Sequence, residues 1–386
     1  MENPFRYGEV VGKPYFVGRD REMAELRSDL RSGQNVLISA PRRIGKSSLV
    51  IEVLAGLREE GIPTAYLDLL RVIDFAHLPD ALATAISGMM GRGERALTAA
   101  AKFLNGLPRR PKFGLDPTDM NVSVEFSPGT PADTLALIEG LLDVPARIAE
   151  QHTSRVILAL DEIQAVEQLH PKLADVMRAI FQRQPDVAHV YLGSRRHIVD
   201  QMFNERGRPF FRSARPLVIR PIPRDVFAAF IAERFASTMS PISDEAVGRV
   251  LDLTACHPSD TQELCSFLWT GAQYSKRAFP IAPDAVDEAL TRVLDANDAR
   301  FRHLWEDLPP PQRALIAALA SDPDGRPYAK EFRQRHRMGE PTTVQRAATS
   351  LVTAELLEST LARPATFRIT EGFLAPWLKS RGITDP

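Results

Sequence analysis

Two hydrophobic patterns alternate along the first half of the chain. Short, nearly continuous apolar runs are typical of buried strands, and they lie at 35–40, 64–70, 156–160, 187–192 and 215–223. Between them, apolar residues recur three or four positions apart, as in 46–61, which indicates amphipathic helices. Strands that alternate with helices predict a parallel sheet covered on both faces. We therefore expect an α/β fold here.

From about residue 223 onward the pattern becomes entirely helical. Four amphipathic stretches follow one another up to Trp305. Three further helices and two strand-like segments, at 356–361 and 366–370, then occupy the C-terminal part, an order that favours a winged helix. We thus predict a sheet-containing core at 1–222, a helical lid at 223–303 and a winged helix at 304–386.

An irregular stretch rich in proline and glycine interrupts the core at about 72–150, and we interpret it as an insertion. Within it, the alternation of Val122, Val124 and Phe126 predicts a short strand. A basic run in the same stretch is expected to form a solvated loop or to touch a partner. Its members are Arg109, Arg110 and Lys112.

Charge and composition exclude several classes of protein. The formal net charge is -1, so no overall field attracts nucleic acid or an anionic membrane. No apolar run approaches the roughly 20 residues that span a bilayer. The first ten residues lack the basic and apolar regions of a signal peptide. Two cysteines, Cys256 and Cys265, are expected to be free thiols. We expect a cytoplasmic protein without a membrane segment.

The segment ISAPRRIGKSSLV (38–50) is a candidate phosphate-binding loop. Gly45, Lys46 and Ser47 match the Gly-Lys-Ser/Thr end of the pattern, whereas Ala40 replaces its first glycine. The context of strand, loop, helix and strand is the one that the motif requires. Nucleotide contacts are therefore assigned to Ala40, Pro41, Arg42, Arg43, Ile44, Gly45, Lys46, Ser47 and Ser48. The loop predicts ATP binding.

Residue types within and after the loop predict the remaining chemistry. Lys46 supplies a cation for the β- and γ-phosphates, and the Ser47 hydroxyl supplies a ligand for Mg²⁺. Asp161 directly follows a buried strand, as expected of the second Mg²⁺ ligand, and Glu162 beside it can polarise the attacking water. An acidic pair of this kind can also belong to a solvated loop.

The next strand ends in Ser194 and Arg195, at the edge of the sheet where ligands bind in such folds. We assign Arg195 to sensing the γ-phosphate and Ser194 to placing the water. Surface arginines beside a loop are the alternative interpretation. The arginines that an oligomer can offer to a neighbouring site are Arg196, Arg208, Arg212 and Arg215.

Several motifs recur here in the order of a known family. They read NPFRYG, FVGRDREMAEL, APRRIGKSSL, LALDEIQ, GSRRHI and HPSDTQELCSFLW. In this order the sequence resembles the archaeal-type ATPases, which group with the AAA+ and STAND signal-transduction ATPases and are similar to archaeal replication initiators. The resemblance implies a P-loop NTPase sheet with helices on both faces, an all-helical lid and a C-terminal winged helix.

The same resemblance implies further nucleotide contacts. The segment Phe16, Val17, Gly18 and Arg19 corresponds to the one that wraps the adenine. The pair His257 and Pro258 corresponds to a lid motif whose proline packs near the base. Without the resemblance, the pair indicates only a turn that starts a helix. Family members tend to have glycine before this motif, whereas this chain has Cys256.

Three functions stay open from sequence. The first is a STAND-like switch that binds ATP and Mg²⁺, hydrolyses ATP slowly and signals its nucleotide state to a protein partner, with oligomerisation in the ATP state as an option. The second is a DNA-binding ATPase that uses Gln345, Arg346 and Arg368 of the winged helix. A nucleotide-stabilised scaffold without turnover is the third. Residues 303–386 carry 11 basic and 10 acidic residues, and this small net charge is weak support for DNA binding. Arg333, Arg335 and Arg337 nevertheless cluster, which leaves a local basic patch as an option.

Overall fold

The chain divides into two compact units. The computed structural model describes residues 2–274, 279–359 and 366–384. The sheet unit spans Arg19–Arg220, and the helical unit combines Met1–Gly18 with Pro221–Pro386. The N-terminal residues thus cluster with the later helices and not with the sheet that follows them in sequence. The finer domain boundaries at 222 and 303 stay predictions.

The sheet unit is built on five parallel strands in the order β2-β5-β6-β1-β7. The strands of this unit are β1 (Val36–Ser39), β2 (Thr64–Asp68), β3 (Pro111–Leu115), β4 (Val122–Phe126), β5 (Val156–Asp161), β6 (Val187–Gly193) and β7 (Arg215–Pro216). Every residue of β5 and β6 is buried, which explains their unbroken apolar sequences. The α/β fold predicted from the alternating pattern is confirmed.

Helices cover this sheet. They are α1 (Asp20–Ser32), α2 (Lys46–Glu59), α3 (Leu78–Ser87), α4 (Gly93–Leu104), α5 (Pro131–His152), α6 (Val166–Leu169), α7 (Leu173–Phe181) and α8 (Arg196–Asn204). Local signals mark several of their ends. At α5, for example, Thr130 and Asp133 form a capping box that satisfies two backbone N–H groups.

Two predictions, one of a strand and one of a loop, need correction. The apolar run 215–223 forms only the two residues of β7, which pair with Val36 and Leu37 of β1. One more hydrogen bond follows, from the Leu217 N–H to Leu37 O at 2.8 Å, and Val218 beyond it is exposed.

The basic run is a solvated loop only in part: Arg110 is exposed outside any strand, whereas Lys112 lies in β3, paired with β4, and Arg109 donates to Thr134 Oγ1 at 3.0 Å. The pairing of β3 with β4 gives this segment a regular structure that its local composition did not indicate.

The helical unit begins with four packed helices and a short fifth. They are α9 (Arg224–Ala236), α10 (Asp244–Thr254), α11 (Pro258–Tyr274), α12 (Pro283–Ala296) and α13 (Asp298–Asp307). The sequence pattern predicted one continuous helix where the structure has α12 and α13. The two helices are separated at Asn297, whose side chain donates to Val293 O at 2.9 Å and to Glu263 Oε1 at 3.1 Å.

The C-terminal elements have the order of a winged helix. They are α14 (Pro310–Ser321), α15 (Lys330–Arg335), α16 (Pro341–Thr353), the antiparallel strands β8 (Leu357–Ser359) and β9 (Phe367–Ile369), and α17 (Leu374–Ser380). The predicted strand segment 356–361 runs past Ser359 into residues outside the described ranges. The sequence did not indicate α17, which Trp377 anchors by packing on Phe301 and donating to Asp298 at 2.9 Å. Nowhere in the described ranges does a helix have the length and apolarity to cross a membrane.

Candidate nucleotide-binding site

The segment between β1 and α2 has the backbone of a phosphate-binding loop. Gly45 immediately precedes the helix with φ +92°, a conformation that favours glycine, and Arg43 also has a positive φ of 61°. The loop therefore leads directly into the N-terminus of α2, the end of a helix that favours an anion. Ala40 is buried and its N–H donates to Gly193 O at 3.3 Å, so it still belongs to the strand ladder, where a small residue suffices.

Lys46 lies folded across this loop. Its side chain is only 5% exposed, and Nζ donates to the carbonyl oxygens of Ala40 and Pro41, both at 2.8 Å. A buried ammonium held by two neutral carbonyls binds more strongly to anionic oxygens when they arrive, because charge-assisted hydrogen bonds are about twice as strong. The loop therefore holds a cation that phosphate can take over.

Asp161 is the centre of a hydrogen-bond cluster at the carboxyl edge of the sheet. It is 3% exposed, and its Oδ2 accepts from Ser47 Oγ at 2.6 Å and from the Tyr66 hydroxyl. Its Oδ1 accepts from the Glu162 N–H at 2.8 Å. Burial, followed by the charge of Asp161, raises the pKa of Tyr66, which stays a neutral donor. Strands β1, β2 and β5 thus bring the loop serine and this carboxylate together.

The oxygen atoms of Ser47 and Asp161 fit a magnesium ion. Two adjacent ligands of an octahedral Mg²⁺ lie about 2.9 Å apart, given metal–oxygen distances of about 2.0–2.1 Å. The observed 2.6 Å is close to that separation. In the described residues no group of three or more His, Cys, Asp or Glu side chains can hold a metal. Such an ion therefore takes its other ligands from a nucleotide and from water.

Asp68 adds a further acid to this edge. It ends β2 and pairs in register with Asp161 of β5. Burial raises the pKa of Asp68, and the charge of Asp161 acts in the same direction. A cation at this edge relieves the repulsion between these carboxylates.

Glu162 is held by the next strand along the sheet. Its Oε2 accepts from Ser194 Oγ at 2.7 Å, from the Ser194 N–H at 3.3 Å and from the Gln164 side chain. Its backbone is left-handed, with φ +54°, which is uncommon for a residue other than glycine. Ser194 itself is 3% exposed. The structure therefore joins two predicted site residues directly.

The arginines have different surroundings. Arg195 is half-buried at the N-terminus of α8, one residue after Ser194. Of the arginines considered for a neighbouring site, Arg215 forms ion pairs within its own unit, with Glu25 at 2.5 Å and with Asp29. Arg208 pairs with Glu167 at 3.3 Å. These two already have acidic partners in the same chain.

The residues assigned through the adenine-wrapping and lid motifs lie mostly in the helical unit. Phe16, Val17 and Gly18 belong to it, whereas Arg19 begins the sheet unit. Pro258 is the first residue of α11, and His257 Nδ1 lies 3.1 Å from Asp260 Oδ2. Their contacts with a nucleotide stay predictions.

Two members of the cluster were missed from sequence. Gln164 stands inside the quoted LALDEIQ motif, two positions after Glu162, so its spacing was available as a signal. Tyr66 lies inside an apolar strand about a hundred residues before Asp161, and no local pattern marks it. Only the pairing of β2 with β5 brings its hydroxyl to the carboxylate.

Comparison with known proteins agrees with this architecture. A family described as a probable winged helix domain matches residues 299–380. A Walker-type ATPase of Pyrococcus abyssi superposes with a TM-score of 0.67 at 15% identity, over 97% of this chain and 99% of that one. The ADP form of the ORC2 protein of Aeropyrum pernix gives 0.51 at 13% identity, over 99% and 96%. No curated protein sequence matches. The chain therefore has the α/β fold of the Walker-type P-loop ATPases, with a helical region and a winged-helix domain at its C-terminal end.

Proposed function

We propose that the protein binds ATP with Mg²⁺, hydrolyses it slowly and acts as a molecular switch. One observation carries the proposal: the Ser47 hydroxyl and the Asp161 carboxylate meet at 2.6 Å beside a helix N-terminus and a buried lysine. This combination of donors, cation and oxygen ligands is what a nucleoside triphosphate with its metal requires.

Each residue of the loop and of the strand ends has a separate task in this proposal. The N–H groups of 42–48 bind the phosphates, and Lys46 leaves the Ala40 and Pro41 carbonyls to contact the β- and γ-phosphates. Ser47 and Asp161 hold Mg²⁺, which supplies charge neutralisation for the phosphates. Ser48 adds a hydrogen bond further along the phosphate chain.

Glu162 accepts a proton from the attacking water. In the present arrangement Ser194 and Gln164 occupy one of its carboxylate oxygens. These bonds engage Oε2 and leave Oε1 to accept the proton. They fix the orientation of the carboxylate, so Ser194 positions the base as well as placing the water.

Arg195 distinguishes ATP from ADP. It stands at the same carboxyl edge, directly after Ser194, and its long cationic side chain suits contact with a γ-phosphate. A switch needs a difference in contacts between its two nucleotide states, and this arginine provides one. The partner that responds is a separate protein, or a further copy of the chain in the ATP state.

Magnesium dependence tests the proposal most directly. Wild-type protein should release phosphate from ATP with Mg²⁺ and stop when EDTA is added. Asp161→Asn should raise the Mg²⁺ concentration needed for half-maximal ATP binding about tenfold or more, because a charged ligand is lost. Asp119→Asn, an exposed acid of the β3–β4 loop, is the control and should change nothing. Equal magnesium dependence in all three proteins would exclude the site.

DNA binding by the winged helix is a second candidate, favoured by the distribution of charge. Residues 326–346 carry six basic and two acidic side chains, so positive charge concentrates on and around α15, although 303–386 are almost neutral; α16 adds Arg346. The exposed face of α16 has no acidic side chain; it presents Thr342, Thr343, Gln345, Arg346 and Thr349. A helix of this kind suits the major groove.

Duplex binding by the full chain, with ATP or ADP and at two salt concentrations, tests this candidate. Binding that persists at physiological salt and falls about tenfold in Arg346→Ala would support it. Binding that disappears as salt rises, and that is unaffected by the nucleotide and by Arg346, would leave only the protein-partnered switch.

A further inference from the structure

The chain passes between its two units at two places, Gly18–Arg19 and Arg220–Pro221. These crossings are far apart in sequence, yet they adjoin one another in both units. In the helical unit, a side chain added at Gly18 would meet Ile222 Cγ2 at 2.6 Å, and Gly18 has φ +69°. In the sheet unit, the Arg19 guanidinium donates to the Arg220 carbonyl. The two crossings therefore form a pair.

Arg19 also contacts the phosphate-binding loop. Its Nη2 donates to Ile44 O at 3.0 Å, one residue before Gly45, and its Nη1 lies 3.2 Å from Glu22 Oε1. The residue is 2% exposed, and burial lowers the pKa of its guanidinium. One buried side chain thus binds the loop, the second crossing and the first helix of the sheet unit, while its backbone forms the first crossing.

The N-terminal segment that leads to Arg19 is anchored in the helical unit. Asn3 Nδ2 donates to Ser266 Oγ at 2.9 Å, and the ring of Phe5 lies 4.9 Å from that of Phe235. Gln262 Nε2 donates to Tyr15 O at 3.2 Å. Residues before Arg19 are therefore tied to α9 and α11, so a displacement at the crossing acts on a segment fixed at its other end.

We propose that Arg19 is a positioning residue that couples the occupancy of the phosphate-binding loop to the two chain crossings. The inference rests on the proposed nucleotide binding. When phosphates take Lys46 from the Ala40 and Pro41 carbonyls, the loop loses two internal hydrogen bonds and rearranges around the ligand. The Ile44 carbonyl belongs to that loop, and Arg19 transmits its new position to Arg220. The planar guanidinium suits this task because it holds two carbonyl groups in fixed directions.

Amide hydrogen exchange of the full chain, with and without Mg·ADP, tests the coupling. In wild-type protein Mg·ADP should slow exchange about fivefold or more both in the loop, 41–48, and at the second crossing, 217–227. Arg19→Lys keeps the charge but cannot hold both carbonyls in the same geometry. It should keep the protection of the loop at saturating Mg·ADP and lose most of the protection at 217–227.

The ratio of exchange with and without nucleotide separates coupling from a purely structural role. A structural role would speed exchange equally in both conditions and leave the ratio unchanged, which would overturn the proposal. Arg21→Lys, on the exposed side of the same helix, is the matched control and should behave as wild type. Wild-type protein tests the inference even if Arg19→Lys fails to fold. Protection of the loop without the crossing excludes the coupling alone, whereas protection of neither excludes the nucleotide site and the coupling with it.

Discussion

The carboxyl edge of the five-stranded sheet and the exposed face of α16 are both polar, but their side chains are in opposite environments. At the sheet edge Lys46, Asp161 and Ser194 are each at most 5% exposed, and they bond to loop carbonyls or to side chains of other strands. On α16 the polar residues, from Thr342 to Thr349, face solvent. The first set is organised before any ligand arrives.

This difference determines how much chemistry the structure supports. Buried polar groups must be satisfied by specific partners, so their geometry restricts the ligand to one class. Exposed groups keep their rotamer freedom and can accommodate several partners. The sheet edge therefore favours one class of ligand, whereas the exposed face of α16 is compatible with several kinds of partner. Substitutions at the two places should differ accordingly.

Glu162→Gln should give the largest effect at the sheet edge. Loss of a general base lowers turnover by about 10²- to 10⁴-fold, while the affinity for ATP stays within about threefold because no phosphate contact is lost. Single-turnover phosphate release and nucleotide titration measure the two quantities. Similar turnover in mutant and wild type would remove Glu162 as the base.

Lys46→Ala should weaken ATP binding about 100-fold or more, since it removes the buried cation of the loop. Arg346→Ala on α16 is the corresponding change in the other region and should leave ATP affinity within about twofold. Titration with a fluorescent ATP analogue compares them, with the exposed Lys172→Ala as control. If Lys46→Ala and Arg346→Ala behave alike, the contrast between buried and exposed sites fails.

His189→Phe tests the effect of a buried histidine in β6, one of the strands of the same sheet. The imidazole stacks on Phe181 at 3.9 Å, its Nε2 has no hydrogen-bond partner within the described residues, and burial lowers its pKa to about 3. The unfolded histidine, with a pKa of about 6.5, gains a proton below that pH while the folded one does not. The contribution of His189 to the free energy of unfolding is therefore fully present above pH 6.5 and is lost progressively as the pH drops towards 3.

At pH 5 this loss amounts to about 2 kcal/mol, and phenylalanine abolishes it. Denaturant unfolding at pH 7.5 and pH 5 should show a smaller difference for His189→Phe than for wild type. His152→Gln, at an exposed position, is the control. An unchanged pH difference would mean that the buried imidazole does not determine the acid sensitivity of the sheet unit.

Ala255→Gly should produce the smallest effect, in the helical unit. Ala255 is exposed at the C-terminus of α10 with φ +48°, and Cys256 follows with φ +56°. Glycine relieves the left-handed strain and should raise the free energy of unfolding by roughly 0.5 kcal/mol. The same substitution at Ala229, exposed inside α9, should lower it by about 1 kcal/mol. Thermal unfolding distinguishes the two, and equal signs would contradict the assignment of strain.

Local patterns predicted the elements that have strong local causes. The start of α2 at Lys46 and the strand before Asp161 both follow from spacing and composition. Weaker local signals gave wrong predictions. The strand predicted at 215–223 is only two residues long, and β3 was not predicted because its sequence overlaps a basic run. Strand β3 exists because β4 pairs with it, and pairing is not a property of either segment alone.

Local sequence patterns are enough to predict the α/β class, the phosphate-binding loop and the acidic pair after β5, because each depends on residues within a few positions of one another. The folded chain is needed to show that Tyr66 and Ser47 share one oxygen of Asp161, that Ser194 holds Glu162, and that Arg19 joins the loop to Arg220. These contacts connect residues from 25 to 201 positions apart. They arise from strand order and burial, which force distant polar groups to satisfy one another where water is excluded.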